Sequence, residues 1–419
     1  MNASPNIVIR LGYLAALILP LLKMVEMFPA IIICTLGISK SSFAYPFMPT
    51  DMAYYIILAL GFALLALYHR DFTTRTNPIF YFALIYIGLN DIAMQGELSQ
   101  MAIVFFICIL FFMCVEDDID VVRHILPLSF ILISLTISYW VMFCPEAQIN
   151  NYNKAGDVQQ TGWTDPNYLS AVLGMGLVVA VKKLINGGNR LFFIPVLGLT
   201  VLGSSISLLI LASRGAILSV IVATTASFVL SKTGIKAKII AIIVAVFFVF
   251  FLYNNQYMDF VMARFEADDG TGAHRTEIWQ SKLNDFFLID NPFYWMFGVG
   301  QSEGIKLGDY FGASVSGVST HNDIISVLIY YGLIGISIFF CVIAYPLRIC
   351  SNEDRPQILA LMLYPLMCSM TIEPLAQGNF VYWGFLFYII VLARNSQEQE
   401  LIDEEGEEIE TEFDADGQE

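Results

Sequence analysis

Charge is scarce in this sequence. Only 14% of its 419 residues are charged, against about a quarter in a soluble domain, which excludes a solvated surface over most of its length. Histidine is scarcer, with four, so few side chains titrate near neutrality. No Cys-x-x-Cys pair occurs among the seven cysteines. Most of them sit in apolar runs, where a thiol behaves as a small hydrophobe, so neither a disulfide framework nor a metal knuckle is expected. There is no Gly-rich phosphate loop followed by Lys-Ser/Thr, no internal repeat and no soluble catalytic domain, which argues against cytoplasmic ATP hydrolysis. Basic residues are missing from 395–419, which holds twelve acidic residues and neither Lys nor Arg.

What replaces charge is apolar sequence. Hydrophobic residues make up 57% of the chain and gather in runs near the length of about 20 residues that crosses a bilayer. The pattern predicts an all-α, polytopic membrane bundle of about twelve spans: 11–38, 52–68, 78–92, 98–114, 125–143, 167–181, 191–211, 215–230, 239–253, 323–346, 357–371 and 380–394. The first is interrupted by Lys23 and Glu26 and reads as one helix or two half-helices. No cleavable signal is expected, because the apolar pattern continues past these charges without a cleavage site. The net charge of −16 belongs mostly to the last segment, and the rest of the chain is near −4. Two regions follow: a membrane domain over 1–394 and an acidic tail over 395–419, expected to be disordered and solvated.

Loop charge sets the direction. Thirteen Lys and Arg fall on one side of the spans and seven on the other, with Lys23 inside the first span. The thirteen-residue side is expected to be cytoplasmic, with both termini on it. Two longer loops then lie outside: 144–166 and 254–320, the latter between the ninth and tenth spans. Within it, 274–288 places Ile278, Leu283, Phe286 and Phe287 near one helical face, which predicts a helix on the membrane surface or on the bundle.

Ionisable residues at span edges are costly and often functional. Arg214 stands between two spans joined by almost no loop; its guanidinium suits bidentate contact with phosphate, or it anchors by snorkelling to headgroups. His321 opens the next span in Thr320-His321-Asn322-Asp323. It can accept a proton from a hydroxyl, or it sits beside a helix cap supplied by Asn322 or Asp323. Arg275 reads as a second phosphate clamp or a solvated loop charge, and Arg264 and Lys306 are weaker versions of the same idea. Asp268, Asp269 and Glu277 can hold a divalent cation, although Asp268-Asp269-Gly270 reads more simply as a turn. Gly298-Val299-Gly300 is a tight-turn signal. Asp165-Pro166-Asn167 either caps the following span, with Pro in the first turn, or lets Asp165 and Asn167 line an outward pocket.

Together these segments resemble the O-antigen ligase family of bacterial membrane glycosyltransferases, a superfamily that also holds O-antigen polymerases and protein O-oligosaccharyltransferases. The resemblance rests on Ser213-Arg214-Gly215 at an outer helix end and on the outer loop from Arg275 through Trp279 to Phe297-Gly298-Val299-Gly300. Its most specific element is His321-Asn322, then nine residues, then Gly332-Leu333-Ile334-Gly335. Asp165-Pro166-Asn167 also recurs in such proteins. Similarity at the level of motifs runs from about residue 160 to 340.

The resemblance implies a fold related to the GT-C glycosyltransferases and a metal-independent reaction that needs no cofactor. The donor would be a glycan on undecaprenyl pyrophosphate. The acceptor would be a sugar hydroxyl, on lipid A–core for a ligase or on a second lipid-linked glycan for a polymerase. Transfer would occur at the periplasmic face of the bacterial inner membrane, with membrane lipid as the other partner and no role for nucleic acid. Arg214 and Arg275 would stabilise charge on the pyrophosphate and His321 would take the acceptor proton. Asp165, Asn167, Asn322, Arg264 and His274 would bind substrate. Alternatives are a polymerase, a protein O-oligosaccharyltransferase, and a transporter or flippase for lipid-linked glycan. A transporter would place its polar site near the bilayer midplane, whereas the polar residues here collect at the outer edge.

Overall fold

A computed structural model of the chain describes residues 78–115, 121–143, 166–186, 193–259, 262, 275–308, 319–379 and 381–397. These residues form helices and turns with no strand among them. The long helices are α1 (Pro78–Gln95), α2 (Gln100–Val115), α3 (Leu126–Phe143), α4 (Pro166–Asn186), α5 (Phe193–Leu211), α6 (Arg214–Val229) and α7 (Ile235–Asn254). They continue with α8 (Arg275–Leu288), α9 (Asp323–Ile349), α10 (Arg355–Ser369) and α11, over 381–397. Ten of the predicted spans fall on ten of these helices. Among the described residues, five stretches are long and apolar enough to cross a membrane: Pro78–Gln95, Val122–Phe143, Asn167–Ile185, Phe193–Leu211 and Asp323–Ile349. The spans predicted at 11–38 and 52–68 and all of the loop predicted at 144–166 but Pro166 lie outside the described residues, as does 398–419. The first residues of the predicted tail, 395–397, are not a solvated segment but continue α11, with Asn395 and Ser396 buried.

The bundle is built around α11, whose first ten residues, 381–390, are all buried. A helix apolar on every side belongs in the middle of a bundle. Its aromatic rings meet four neighbours: Trp383 on Phe105 of α2 at 4.9 Å, Phe387 on Phe80 of α1 at 5.5 Å, and Phe385 on both Phe130 of α3 at 5.2 Å and Tyr364 of α10 at 5.9 Å.

Beside it, α3, α4 and α5 pack through small residues. Ser134 donates to the carbonyl of Leu173 at 2.8 Å and lies 2.7 Å from the hydroxyl of Ser204. A side chain at Gly176 would strike the Phe130 carbonyl, and one at Gly174 would strike the Tyr364 ring. Small residues and hydroxyls at helix contacts are how helices associate where lipid removes the hydrophobic drive. At the edge, α7 leaves Val246, Phe247, Phe250 and Tyr253 exposed, the surface expected of a helix facing lipid.

The most informative irregularity is in α9. Gly332 has φ 68° and ψ −166°, which breaks the helix in the middle of its apolar length. Three carbonyls freed by the break find donors elsewhere. The N–H of Val299 donates to Ile329 at 2.9 Å, that of Gly300 to Tyr330 at 3.1 Å, and the Tyr86 hydroxyl to Tyr331 at 2.7 Å. Non-helical backbone at membrane depth requires this kind of internal satisfaction.

Gly298 and Gly300 have φ of 81° and 79° with extended ψ, a conformation open essentially to glycine. A Cβ on Gly298 would run into the Tyr330 carbonyl, and one on Gly332 into the Met296 carbonyl. The Gly298-Val299-Gly300 turn and the Gly332-x-x-Gly335 motif are therefore two halves of one contact. The end of α1 completes it: Asn90 Nδ2 donates to the Phe297 carbonyl at 2.5 Å, and buried Asp91 accepts the Tyr331 hydroxyl at 3.1 Å and the Ser99 N–H at 2.8 Å.

Candidate functional site

The turn of residues 370–379 joins α10 to α11, and the sequence-predicted site residues gather round it. Asn322 caps α9, accepting the Ile325 N–H at 3.1 Å, and its Nδ2 donates to the Met370 carbonyl at 3.2 Å. Arg275, the first residue of α8, donates from Nη1 to the Thr371 carbonyl at 2.6 Å. On the other side of Thr371 lies Gly215, where an added Cβ would sit 2.5 Å from the threonine hydroxyl. That contact holds the start of α6, and with it Arg214, against the turn.

Helices α5 and α6 are separated by only Ala212, in the left-handed region at φ 50°, and Ser213. Ser213 donates to Oδ1 of buried Asn167 at 2.9 Å, which ties the start of α4 to the start of α6. Arg214, Arg275, His321, Asn167 and Asn322 thus belong to four helix beginnings and one strained residue around a single turn. Asp165, Arg264 and His274 lie outside the described residues.

At the centre is a residue that the sequence reading missed, Glu373. It is fully buried, and both carboxylate oxygens are occupied. Oε1 accepts the hydroxyls of Ser326 and, at 3.2 Å, Tyr330. Oε2 accepts the Ser319 hydroxyl and, at 3.2 Å, the backbone N–H of His321. A carboxylate has about four lone-pair sites, so this one is filled. It fixes the segment that carries His321 and does not reach outward.

His321 itself is half-buried with φ 52°, a left-handed conformation uncommon for a side-chain-bearing residue. Asp323, also fully buried, accepts the Ala376 N–H at 2.7 Å, closing the far end of the turn. A signal for Glu373 was present: an ionisable residue between two apolar runs, the criterion that picked out Arg214.

The outer helix α8 supports this arrangement from one side. Trp279 donates to the Thr320 carbonyl at 2.6 Å, one residue before His321. The buried face of α8 differs from the predicted one. Ile278, Lys282 and Phe286 are buried, while Phe287 is 49% exposed. Lys282 takes a core position because its ammonium has partners there, the carbonyls of Gly304 at 3.1 Å and Ile305 at 3.0 Å. Burial pushes that ammonium below its ordinary value, and the charges of Glu373 and Asp285 oppose the shift. Lys306, considered as a weak clamp, instead pairs with Glu303 at 2.6 Å on the surface.

A bundle with membrane-length apolar helices and a broken helix satisfied from within defines a multi-pass membrane protein, and its candidate site is the polar turn at one end. The family model described as O-antigen ligase matches residues 199–340, so the resemblance read from the sequence is shown over a segment holding Arg214, Arg275, His321 and both glycine motifs. Over that segment the chain is similar to membrane glycosyltransferases of the ligase and polymerase type. No curated protein matches the chain. Asn167 and Glu373 lie beyond the matched residues and reach the site only through the fold.

Proposed function

We propose that the chain transfers a glycan from undecaprenyl pyrophosphate to a sugar hydroxyl at the periplasmic face of the bacterial inner membrane, as an O-antigen ligase acting on lipid A–core. The observation that supports this reading most is the convergence of Arg214, Arg275 and His321 on the 370–379 turn. In the proposed topology the bundle has twelve spans, both termini are cytoplasmic, and 254–320 is a periplasmic loop. The acidic tail over 395–419 stays in the cytoplasm.

Breaking the bond between sugar and pyrophosphate adds negative charge to a leaving group that is already anionic. Preorganised cations stabilise such charge strongly in a site that excludes water. Arg214 and Arg275 fill this role without a metal, because a guanidinium stays charged and forks onto phosphate oxygens. The acceptor hydroxyl loses a proton as it attacks, and His321 takes it. Glu373 is a positioning residue, since it acts on substrate only by holding the His321 backbone. Asp165, Asn167, Asn322, Arg264 and His274 complete the substrate-binding set, with Asn167 and Asn322 acting through the shape of the turn. The energy comes from the pyrophosphate linkage, so no nucleotide and no cofactor is required.

A strain deleted for the gene and complemented with Arg214→Ala, Arg275→Ala or His321→Ala tests the reading through its surface glycans. A ligase defect leaves polymerised lipid-linked chains unattached. Attachment of single repeat units only would instead assign the chain as a polymerase. Full complementation by all three variants would remove the proposed mechanism.

A further inference from the structure

The opposite end of the bundle holds a second polar feature. Helix α4 runs from Asn167 at the candidate site to Lys183, and α10 runs back from Asp354 to the 370–379 turn. At 1.5 Å per residue, the run from Asn167 to Lys183 separates the two ends by about 24 Å, most of the thickness of a bilayer's hydrocarbon core. There the π-helical turn Val121–Ile125 and the ends of α4, α10 and α11 line an open cavity of about 470 Å³.

Among the described residues its lining carries Arg123, His124, Lys182 and Lys183 against one acidic side chain, Asp354. Lys183 donates to the backbone carbonyl of Arg123 at 2.9 Å, which ties its ammonium to the π-helical turn. Apolar lining residues, Val179 and Ile358 among them, lie about one helical turn further along the bundle from the charges. The lining therefore grades from cationic at the end of the bundle to apolar toward its middle.

Asn395 gives the second, independent sign of a ligand. It lines the cavity and is only 5% exposed, and its buried Nδ2 meets no acceptor among the described residues. A buried amide donor left unmade is costly and calls for a partner.

We propose that this cavity binds the phosphate headgroup of an anionic phospholipid from the leaflet on that side. The cations meet the phosphate charge, Asn395 donates to one of its oxygens, and the apolar inner lining takes the glycerol and the start of an acyl chain. The acidic sequence that follows 397 is the competing occupant, since it carries carboxylates for the cations and Leu401 and Ile402 for the apolar part. The place of the cavity at one end of membrane-length helices, the level of the lipid headgroups, favours the lipid. This site is separate from glycan transfer, and nothing in its argument draws on that reaction.

Retention of short-chain phosphatidylglycerol and phosphatidylcholine by the purified full chain in detergent, read by native mass spectrometry, tests the proposal. Phosphatidylglycerol should be retained in preference. Lys182→Gln and Arg123→Gln should each weaken it roughly fivefold, with the thermal midpoint of the lipid-free protein unchanged. Equal retention of the two lipids, or undiminished phosphatidylglycerol in both variants, would overturn the site. Glycerol phosphate binding as tightly as the lipid would overturn the lipid as occupant in favour of a soluble phosphate ester. Binding that appears only after removal of 398–419 would overturn it in favour of the tail.

Discussion

The carboxylate of Glu373 accepts the backbone N–H of His321 at 3.2 Å, across 52 residues of sequence. The bond holds the proposed general base in a left-handed conformation at the head of α9. It also joins a residue inside the family-matched segment to a turn outside it.

Glu373→Ala should therefore act on both stability and transfer. It leaves the buried Tyr330 hydroxyl without its carboxylate acceptor, at about 1–3 kcal/mol for a buried group left unsatisfied, while Ser326 keeps the Thr320 hydroxyl at 2.5 Å. Glu373→Gln keeps the shape and part of the acceptor capacity. The expected order is wild type, then Gln, then Ala, in both detergent thermal midpoint and transfer rate. Normal transfer by Glu373→Ala would show that the His321 turn holds itself.

Substitution at either half of the α9 break should be severe. Gly298→Ala and Gly332→Ala each add a Cβ at positive φ against a backbone carbonyl. Strain at such positions costs on the order of 1–3 kcal/mol before the clash is counted. Both variants should lose several degrees in thermal midpoint and accumulate poorly. Gly198→Ala, where an added Cβ meets nothing within 4 Å, is the control and should behave as wild type.

Arg275→Lys separates charge from geometry. The lysine keeps the positive charge but loses the planar fork that contacts both the Thr371 carbonyl and, in the proposed reaction, the pyrophosphate. Transfer should fall by about 10²-fold or more, the usual cost of losing one preorganised donor to a developing anion, with membrane levels unchanged. A rate near wild type would mean that charge alone suffices.

Lys282 should leave a pH signature on stability. Its folded-state value is lowered from 10.5 by burial, so between the lowered value and 10.5 the unfolded chain binds more protons than the folded one. Stability then rises with pH through that window as the native penalty is relieved. The neutral amine still has two N–H donors for the Gly304 and Ile305 carbonyls. Thermal midpoints of wild type and Lys282→Met across the window should differ in slope, with the rise smaller in the variant. Equal slopes would assign the titration to other groups.

Much of the architecture was legible because hydropathy reports membrane-length runs whatever they pack against. The range predicted at 323–346 became α9, and Arg214 does begin a helix after almost no loop. The arrangement of the site was less legible. Gly298-Val299-Gly300 carries only a turn signal in sequence, since its partner is the backbone of residues 329–330. Glu373 escaped notice because it follows an apolar run with no motif of its own. Lys282 was passed over because a lysine on an amphipathic helix ordinarily faces water, and only the carbonyls of Gly304 and Ile305 make its burial tolerable.

In the proposed reaction an outward site built on Arg214, Arg275 and His321 moves a glycan off a lipid pyrophosphate. The most direct measurement incubates the purified full chain in detergent with an undecaprenyl-pyrophosphate-linked oligosaccharide and lipid A–core, without nucleotide, and separates the products by mass. The account predicts a glycosylated acceptor and released undecaprenyl pyrophosphate from wild type, and neither from His321→Ala. No product from wild type with any sugar acceptor, or equal product from His321→Ala, would contradict it.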